Sequence, residues 1–175
     1  MSNEEKLLKV FGNVNDWLKF AEAKNAMLIA FNGASIVGTI RLFDIVTINN
    51  SIFLSNYVLF VNICLIFSTV NCLVSFAPRV NIFKGIYSSG KIPNVLFYEY
   101  LKGKSSKEIY QEITGDPDYK KSTTFEKDLA EQIKQNSIIA SRKLSHFTIS
   151  VWITISAYIS LPVAGIFCLY TYLNK

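Results

Sequence analysis

The chain has 175 residues, with 18 Lys/Arg against 13 Asp/Glu and a formal net charge of +5; half of the residues are hydrophobic and only 18% are charged. Its mean hydropathy is +0.28. That length suits about one domain, and the composition excludes a disordered chain, which needs low hydrophobicity and high net charge. An ordinary soluble globule is also disfavoured, because the apolar residues are clustered rather than periodic.

In chain order, residues 1–25 read as a helix. Leu7, Phe11, Val14, Leu18 and Ala21, with Trp17 beside them, recur at spacings of four and three, which is one face of an α-helix. Neither Gly nor Pro interrupts 14–32, so this helix is expected to continue into a first span at 26–46. The opening Ser2-Asn3-Glu4-Glu5 is acidic and no small-residue cleavage pattern follows it, so an uncleaved N-terminus is expected rather than a signal peptide. Asn49-Asn50-Ser51 is a turn-forming cluster that joins span one to a second span at 57–77, closed by Pro78.

No Asp, Glu, Lys or Arg occurs from Ile45 to Ala77 or from Leu144 to Asn174, and a shorter such window runs from Asn25 to Ile40. About 20 apolar residues cross a hydrocarbon core. The first two windows exceed that length, and the third reaches it by taking in Arg41 and Asp44. These two are i,i+3 on a helix near the end of span one, placed for pairing and snorkelling. A third span is therefore expected at 147–172, with a bend at Pro162.

The middle region, 79–146, opens as a loop through Asn81–Pro93. It continues as two short helices or one broken helix from Asn94 to Ile113, with Ser105-Ser106 as a cap, and then turns at Gly115-Asp116-Pro117-Asp118. Thr123 and Glu126 have capping-box spacing. Phe125, Leu129, Ile133, Asn136, Ala140 and Phe147 then mark a long helix that runs into span three. The expected fold is an all-α membrane protein. It has three transmembrane helices and a helical cytoplasmic bundle, formed by extensions of spans one and three plus a middle insert.

Orientation follows from Lys/Arg near the span ends. Lys6, Lys9, Lys19 and Lys24 precede span one. The 79–146 region holds twelve Lys/Arg against eight Asp/Glu, and the 47–56 hairpin holds none. Both basic segments are thus expected in the cytoplasm, with Asn174-Lys175 on the far side. The positive charge is explained by this rule and by anionic headgroups, not by a nucleic acid polymer.

Within the spans, Ala30, Ala34 and Gly38, and again Ser156, Ser160 and Ala164, have the four-residue spacing that lets helix backbones approach closely. Asn32, Asn62 and Thr69 are costly in hydrocarbon unless bonded. They either line a hydrated path in a homo-oligomer or make interhelical hydrogen bonds. Ser68, Asn71 and Thr154 also lie deep. Cys64, Cys72 and Cys168 fall in spans and read as packing residues. With one His, His146, a Cys/His metal site lacks ligands. Phosphate-binding, dinucleotide and zinc-protease motifs are absent, so neither an enzyme nor a cofactor is expected.

Ala21-Glu22-Ala23-Lys24-Asn25 followed by Leu28-Ile29-Ala30-Phe31-Asn32-Gly33-Ala34 resembles the opening of the Pycsar effector transmembrane family. Glu22 stands where that family has Asp, and Asn25 where it has Ala. Pro78, Leu96-Phe97-Tyr98 and Leu129-Ala130-Glu131-Gln132-Ile133 leading to Lys143 resemble it too, so the likeness covers 18–171. It implies a bacterial antiphage effector of the inner membrane, triggered by cyclic CMP or cyclic UMP to impair the bilayer. Candidate ligand or headgroup contacts are Arg79, Lys102, Lys104, Lys107, Arg142 and Lys143, since phosphate needs such donors. Glu22 and Lys24 are candidates for an inner-interface latch with Arg142 or Lys143. The alternatives are a holin-like channel that needs no nucleotide and a membrane scaffold for a soluble partner.

Overall fold

The computed structural model describes residues 1–48, 52–77 and 94–173, and among them it contains helices and no strand. The order is α1 (Asn3–Ile48), α2 (Ile52–Val74), α3 (Tyr98–Leu101), α4 (Ser106–Thr114) and α5 (Thr124–Leu173). α1, α2 and α5 are each long and apolar enough to cross a membrane. Asn49-Asn50-Ser51, Pro78, the 81–93 loop and Asn174-Lys175 lie outside the described residues.

α1 and α5 are single helices of 46 and 50 residues. Neither contains a break that its sequence does not announce; α5 carries Pro162 within it. α2 begins at Ile52, five residues earlier than the second span read from the sequence. The apolar residues Ile52 and Phe53 are good strand and helix residues alike, and once the Asn-Asn-Ser cluster has passed nothing stops helix propagation. At its other end α2 closes through successive three-residue turns at Ser75, Phe76 and Ala77.

The chain divides into two compact units. One comprises Met1–Ala23 with the described part of 78–144, and the other Lys24–Ala77 with the described part of 145–175. Their interiors are built on opposite principles. In the first unit the buried residues are apolar: Leu7, Val10 and Val14 of α1, Tyr100 and Leu101 of α3, Ile109 and Tyr110 of α4, and Leu129, Ala130 and Ile133 of α5. Leu7 and Val14 belong to the stripe read from the sequence and Phe11 packs against the cluster, whereas Val10 lies outside that stripe. Burying such side chains stabilises by about 1.5–3 kcal/mol each. Polar ties join the same elements. Lys6 donates to the Thr114 carbonyl at 2.8 Å and Asn136 to Asn15 Oδ1 at 2.7 Å.

In the second unit the outward faces are apolar. Met27, Phe31, Ile52, Phe60, Phe67, Trp152, Ile159 and Ile166 are all at least half exposed. Its buried set includes Asn25, Asn32, Thr39, Asn62, Ser68, Ser150 and Thr154. Polar groups inside and large apolar groups outside is the arrangement a lipid solvent selects.

Helix ends in the first unit follow local rules. Ser105 caps α4 in a full capping box with Glu108, and Gly115 closes it in the left-handed region at φ 77°. Thr123 and Glu126 make the second capping box, with bonds of 2.8 and 3.2 Å. The Ser105 backbone and hydroxyl donors hold the Glu108 carboxyl below its ordinary value. Ser106 and Gln135 do the same for Glu131. A carboxylate whose folded pKa is depressed contributes stability that is complete above its unfolded pKa and is lost as pH falls through the folded value. The first unit should therefore lose stability on acidification below about pH 4.5. Helix loss followed by circular dichroism on the purified chain should show this. Ser105→Ala should cost about 1 kcal/mol at neutral pH and flatten the acid dependence. Because the Ser105 backbone donor survives that change, Glu108→Gln is the stricter variant, and an acid limb unchanged in it would show that Glu108 does not contribute.

Candidate functional site

The three apolar helices are tied by a polar spine inside the second unit. Asn32 of α1 donates its amide to Ser68 Oγ of α2 at 2.9 Å, and Thr154 of α5 donates to Asn32 Oδ1 at 3.0 Å. The Ser68 and Thr154 hydroxyl oxygens are 2.9 Å apart; with the Thr154 hydrogen given to Asn32, the one Ser68 hydrogen is shared between Thr154 Oγ1, which closes a three-helix ring, and the Ser150 carbonyl. Asn32 and Ser68 are fully buried and Thr154 nearly so.

The spine continues along α2 and α5. Ser68 Oγ donates to the Ser150 carbonyl, and Ser150 Oγ returns a bond to the Ser68 carbonyl, at 2.9 and 3.0 Å. Asn71 donates to Ser150 Oγ and to the His146 carbonyl, and its Oδ1 meets His146 Nδ1 at 2.9 Å. A second α1–α2 tie lies nearer the other end, where Thr39 donates to Asn62 Oδ1 at 2.8 Å while the Asn62 amide donates to the Val58 carbonyl. Between the ties the contacts are apolar and small: Val61, Leu65 and Ala157 pack together with Ile36 and Leu161 around them.

Of the three residues read as a membrane-interior polar set, Asn32 and Asn62 make interhelical bonds at separate levels. Thr69 bonds, among the described residues, only the Leu65 carbonyl of its own helix. The small-residue stripes divide as well. Ala164 is buried and Ser160 half-buried, but Ser156 is exposed. The α5 residues that pack inward are Ser150, Thr154, Ala157 and Ala164, a register that shares Ala164 with the sequence-read stripe and otherwise departs from it. Ala30, Ala34 and Gly38 are all exposed, on the side of α1 away from Asn32 and Thr39. Arg41 and Asp44 are exposed near its end.

In the first unit Lys102, Lys104 and Lys143 are paired with carboxylates. Lys102 bonds Glu99 and donates to Ser141 Oγ at 3.1 Å, and Ser141 Oγ donates to Glu99 Oε2 at 3.0 Å. Lys104 pairs with Glu112 at 2.7 Å and lies 4.9 Å from the centre of the Tyr100 ring. Glu112 and Tyr100 together raise the Lys104 pKa well above its ordinary value, so it stays charged. Lys107 is exposed and Arg142 half-buried; Arg79 lies outside the described residues. Lys143 donates to Glu22 Oε1 at 2.7 Å, joining α5 to α1. In the second unit Lys24 lies over the Phe147 ring, 5.1 Å from its centre.

The site also contains residues the sequence reading did not single out as a set. Ser68, Asn71, His146, Ser150 and Thr154 form one network. Its signal was the four-residue spacing of 146, 150 and 154 on α5, facing 68, 71 and the buried Cys72 on α2. Among the described residues no group of three metal-ligating side chains converges.

Interhelical hydrogen bonds in membranes contribute about 0.6 kcal/mol on average and up to about 1.7. Ser68 serves several partners, so Ser68→Ala should destabilise the second unit by about 1–2 kcal/mol. Thr69→Val, which removes only a bond within one helix, should stay within about 0.5 kcal/mol of the parent. Unfolding in a mixed-detergent titration measures both. Equal losses in the two variants would refute the assignment of Ser68 as the shared partner.

The description that fits this architecture comes from the match between the chain and known families. The model of the Pycsar effector protein domain matches residues 6–170, which include both units and all three long apolar helices. No curated protein and no solved structure is similar enough to count as a match. With nearly its whole length inside that one domain, the chain belongs to the Pycsar effector family and is a membrane-spanning effector of antiphage defence.

Proposed function

We propose that this effector sits in the cell inner membrane with its first unit in the cytoplasm. A cyclic pyrimidine nucleotide triggers it, and as a homo-oligomer it then impairs the bilayer. The observation that carries this reading is the continuity of α1 and α5, each of which contributes to both units. A ligand acts only through its differential affinity for two states. A ligand that favours one arrangement of α1 against α5 within the first unit biases the same two helices where they carry Asn32 and Thr154.

The orientation rests on the Lys/Arg distribution, which places residues 1–25 and 79–146 inside. The resting state is held by the Glu22–Lys143 pair and by the spine of Asn32, Ser68 and Thr154. Opening exchanges these bonds for others, between copies or with water. Thr69, which makes no interhelical bond among the described residues, is then a group available to a hydrated path beside Asn32 and Asn62. Lys102 and Lys104, after exchange of their present partners, serve with Lys107, Arg79 and Arg142 as headgroup or phosphate contacts. A channel that needs no nucleotide and a scaffold for a soluble enzyme are the rival readings.

Expression in bacteria with and without added cyclic CMP or cyclic UMP, followed by uptake of a membrane-impermeant dye, separates the three. Uptake only with nucleotide is expected. Uptake regardless of nucleotide would reject the trigger, and no uptake in either condition would leave the scaffold. Lys143→Glu should raise uptake without nucleotide, and combining it with Glu22→Lys should restore the requirement. Basal uptake unchanged in Lys143→Glu would remove the latch from the mechanism.

A further inference from the structure

The first unit carries an open cavity of about 290 Å³ lined by Asn13, Asp16, Trp17 and Phe20 of α1. Its floor is aromatic. The Trp17 ring lies 5.8 Å from Phe20, 6.0 Å from Phe97 and 5.2 Å from Tyr98, centre to centre. Phe97 and Tyr98 are themselves 4.9 Å apart. Tyr98 is nearly buried, but Phe20 is 45% exposed and Phe97 36%. Clustered aromatic faces left open on a folded unit are a stacking platform, and a flat heteroaromatic ring is what such a platform takes.

The polar atoms at the rim specify which ring. Asn13 donates its amide nitrogen to the Leu96 carbonyl, so its Oδ1 is the atom left to face a ligand as an acceptor. Asp16, three-quarters exposed, presents a carboxylate, and its contact with Lys19 at 3.5 Å leaves acceptor sites over. Both rim groups accept hydrogen bonds. A base with an exocyclic amine, such as cytosine, donates to a carboxylate in this way, whereas uracil offers only an acceptor at the same position. Lys19, 3.5 Å from the Asp16 carboxylate, lies beside the lining as a cation of the kind a phosphate requires.

We propose that this cavity is the nucleobase site of the effector: a pyrimidine bearing an exocyclic amine stacks on Trp17, meets the near-perpendicular Phe20 ring edge-on, and donates its amine to Asp16. This rests on the reading of the protein as triggered by a cyclic pyrimidine nucleotide, and it selects cyclic CMP over cyclic UMP. A bilayer surface is the competing occupant for exposed aromatics. The sequence argues against it, since Lys19, Glu22 and Lys24 follow Trp17 on α1 before the uncharged stretch begins.

The test uses the full chain in lipid nanodiscs with Trp152→Phe, so that Trp17 is the one tryptophan. Cyclic CMP should quench Trp17 emission saturably, with a Kd about tenfold or more below that of cyclic UMP. Phe20→Ala should weaken cyclic CMP by about tenfold. Asp16→Asn should bring the two nucleotides within about threefold of each other, because an amide both donates and accepts. Calorimetric binding that leaves Trp17 emission unchanged and is indifferent to Phe20→Ala and Asp16→Asn would overturn the site while leaving the trigger standing. No heat with either nucleotide would overturn both. Quenching of Trp17 by brominated lipid in the nanodisc would assign the aromatic floor to the bilayer and overturn the site.

Discussion

In a lipid solvent, apolar side chains gain nothing by leaving the surroundings for one another, and this constraint shapes the second unit. Lipid tails solvate Phe67 or Ile159 as well as a protein interior does, so burial of such groups does not specify how helices meet. Specificity falls to groups that lipid cannot solvate. Asn32, Ser68 and Thr154 satisfy one another across three helices, and any rotation of one helix leaves buried polar atoms without partners. Small residues at the contact, Ala157 and Ala164 on α5, let the backbones approach closely enough for these short side chains to reach.

The first unit obeys the opposite solvent. Its interior is Leu7, Val14, Ile109, Tyr110 and Ile133, and its charges pair near the surface. What makes the protein unusual is that two helices serve both regimes without interruption. α1 presents Leu7 and Val14 inward in one unit and Asn32 and Thr39 inward in the other. α5 does the same with Ile133 and then Ser150 and Thr154. The inversion coincides with Glu22–Lys143 on one side of the division and Lys24 over Phe147 on the other, so ionic and cation–π contacts mark the change of solvent.

An antiphage membrane effector must remain harmless until it is needed. A spine of hydrogen bonds, each contributing little, suits that requirement: it specifies one arrangement firmly through satisfaction of buried groups, yet it can be exchanged for another without breaking an apolar core. In the function proposed, the first unit receives the signal and the shared helices carry it.

The sequence by itself determined which stretches are helical and which are apolar enough for a membrane, because charge-free windows, uninterrupted 3.6-residue stripes, the Thr123–Glu126 and Ser105 caps and the Gly115 stop are all local signals. It also carried the family through residues spread along the chain. It did not determine which polar residues meet. Asn62 and Thr69 share a helix face by spacing, yet one bonds across to Thr39 and the other turns back on Leu65. Ala30, Ala34 and Gly38 have packing-stripe spacing and lie outward. Small residues are compatible with any close neighbour, and an amide with any donor or acceptor, so their partners depend on the rotation and register of three helices. Those are set only by the tertiary requirement that Asn32, Thr39, Asn62, Ser68 and Thr154 find partners together.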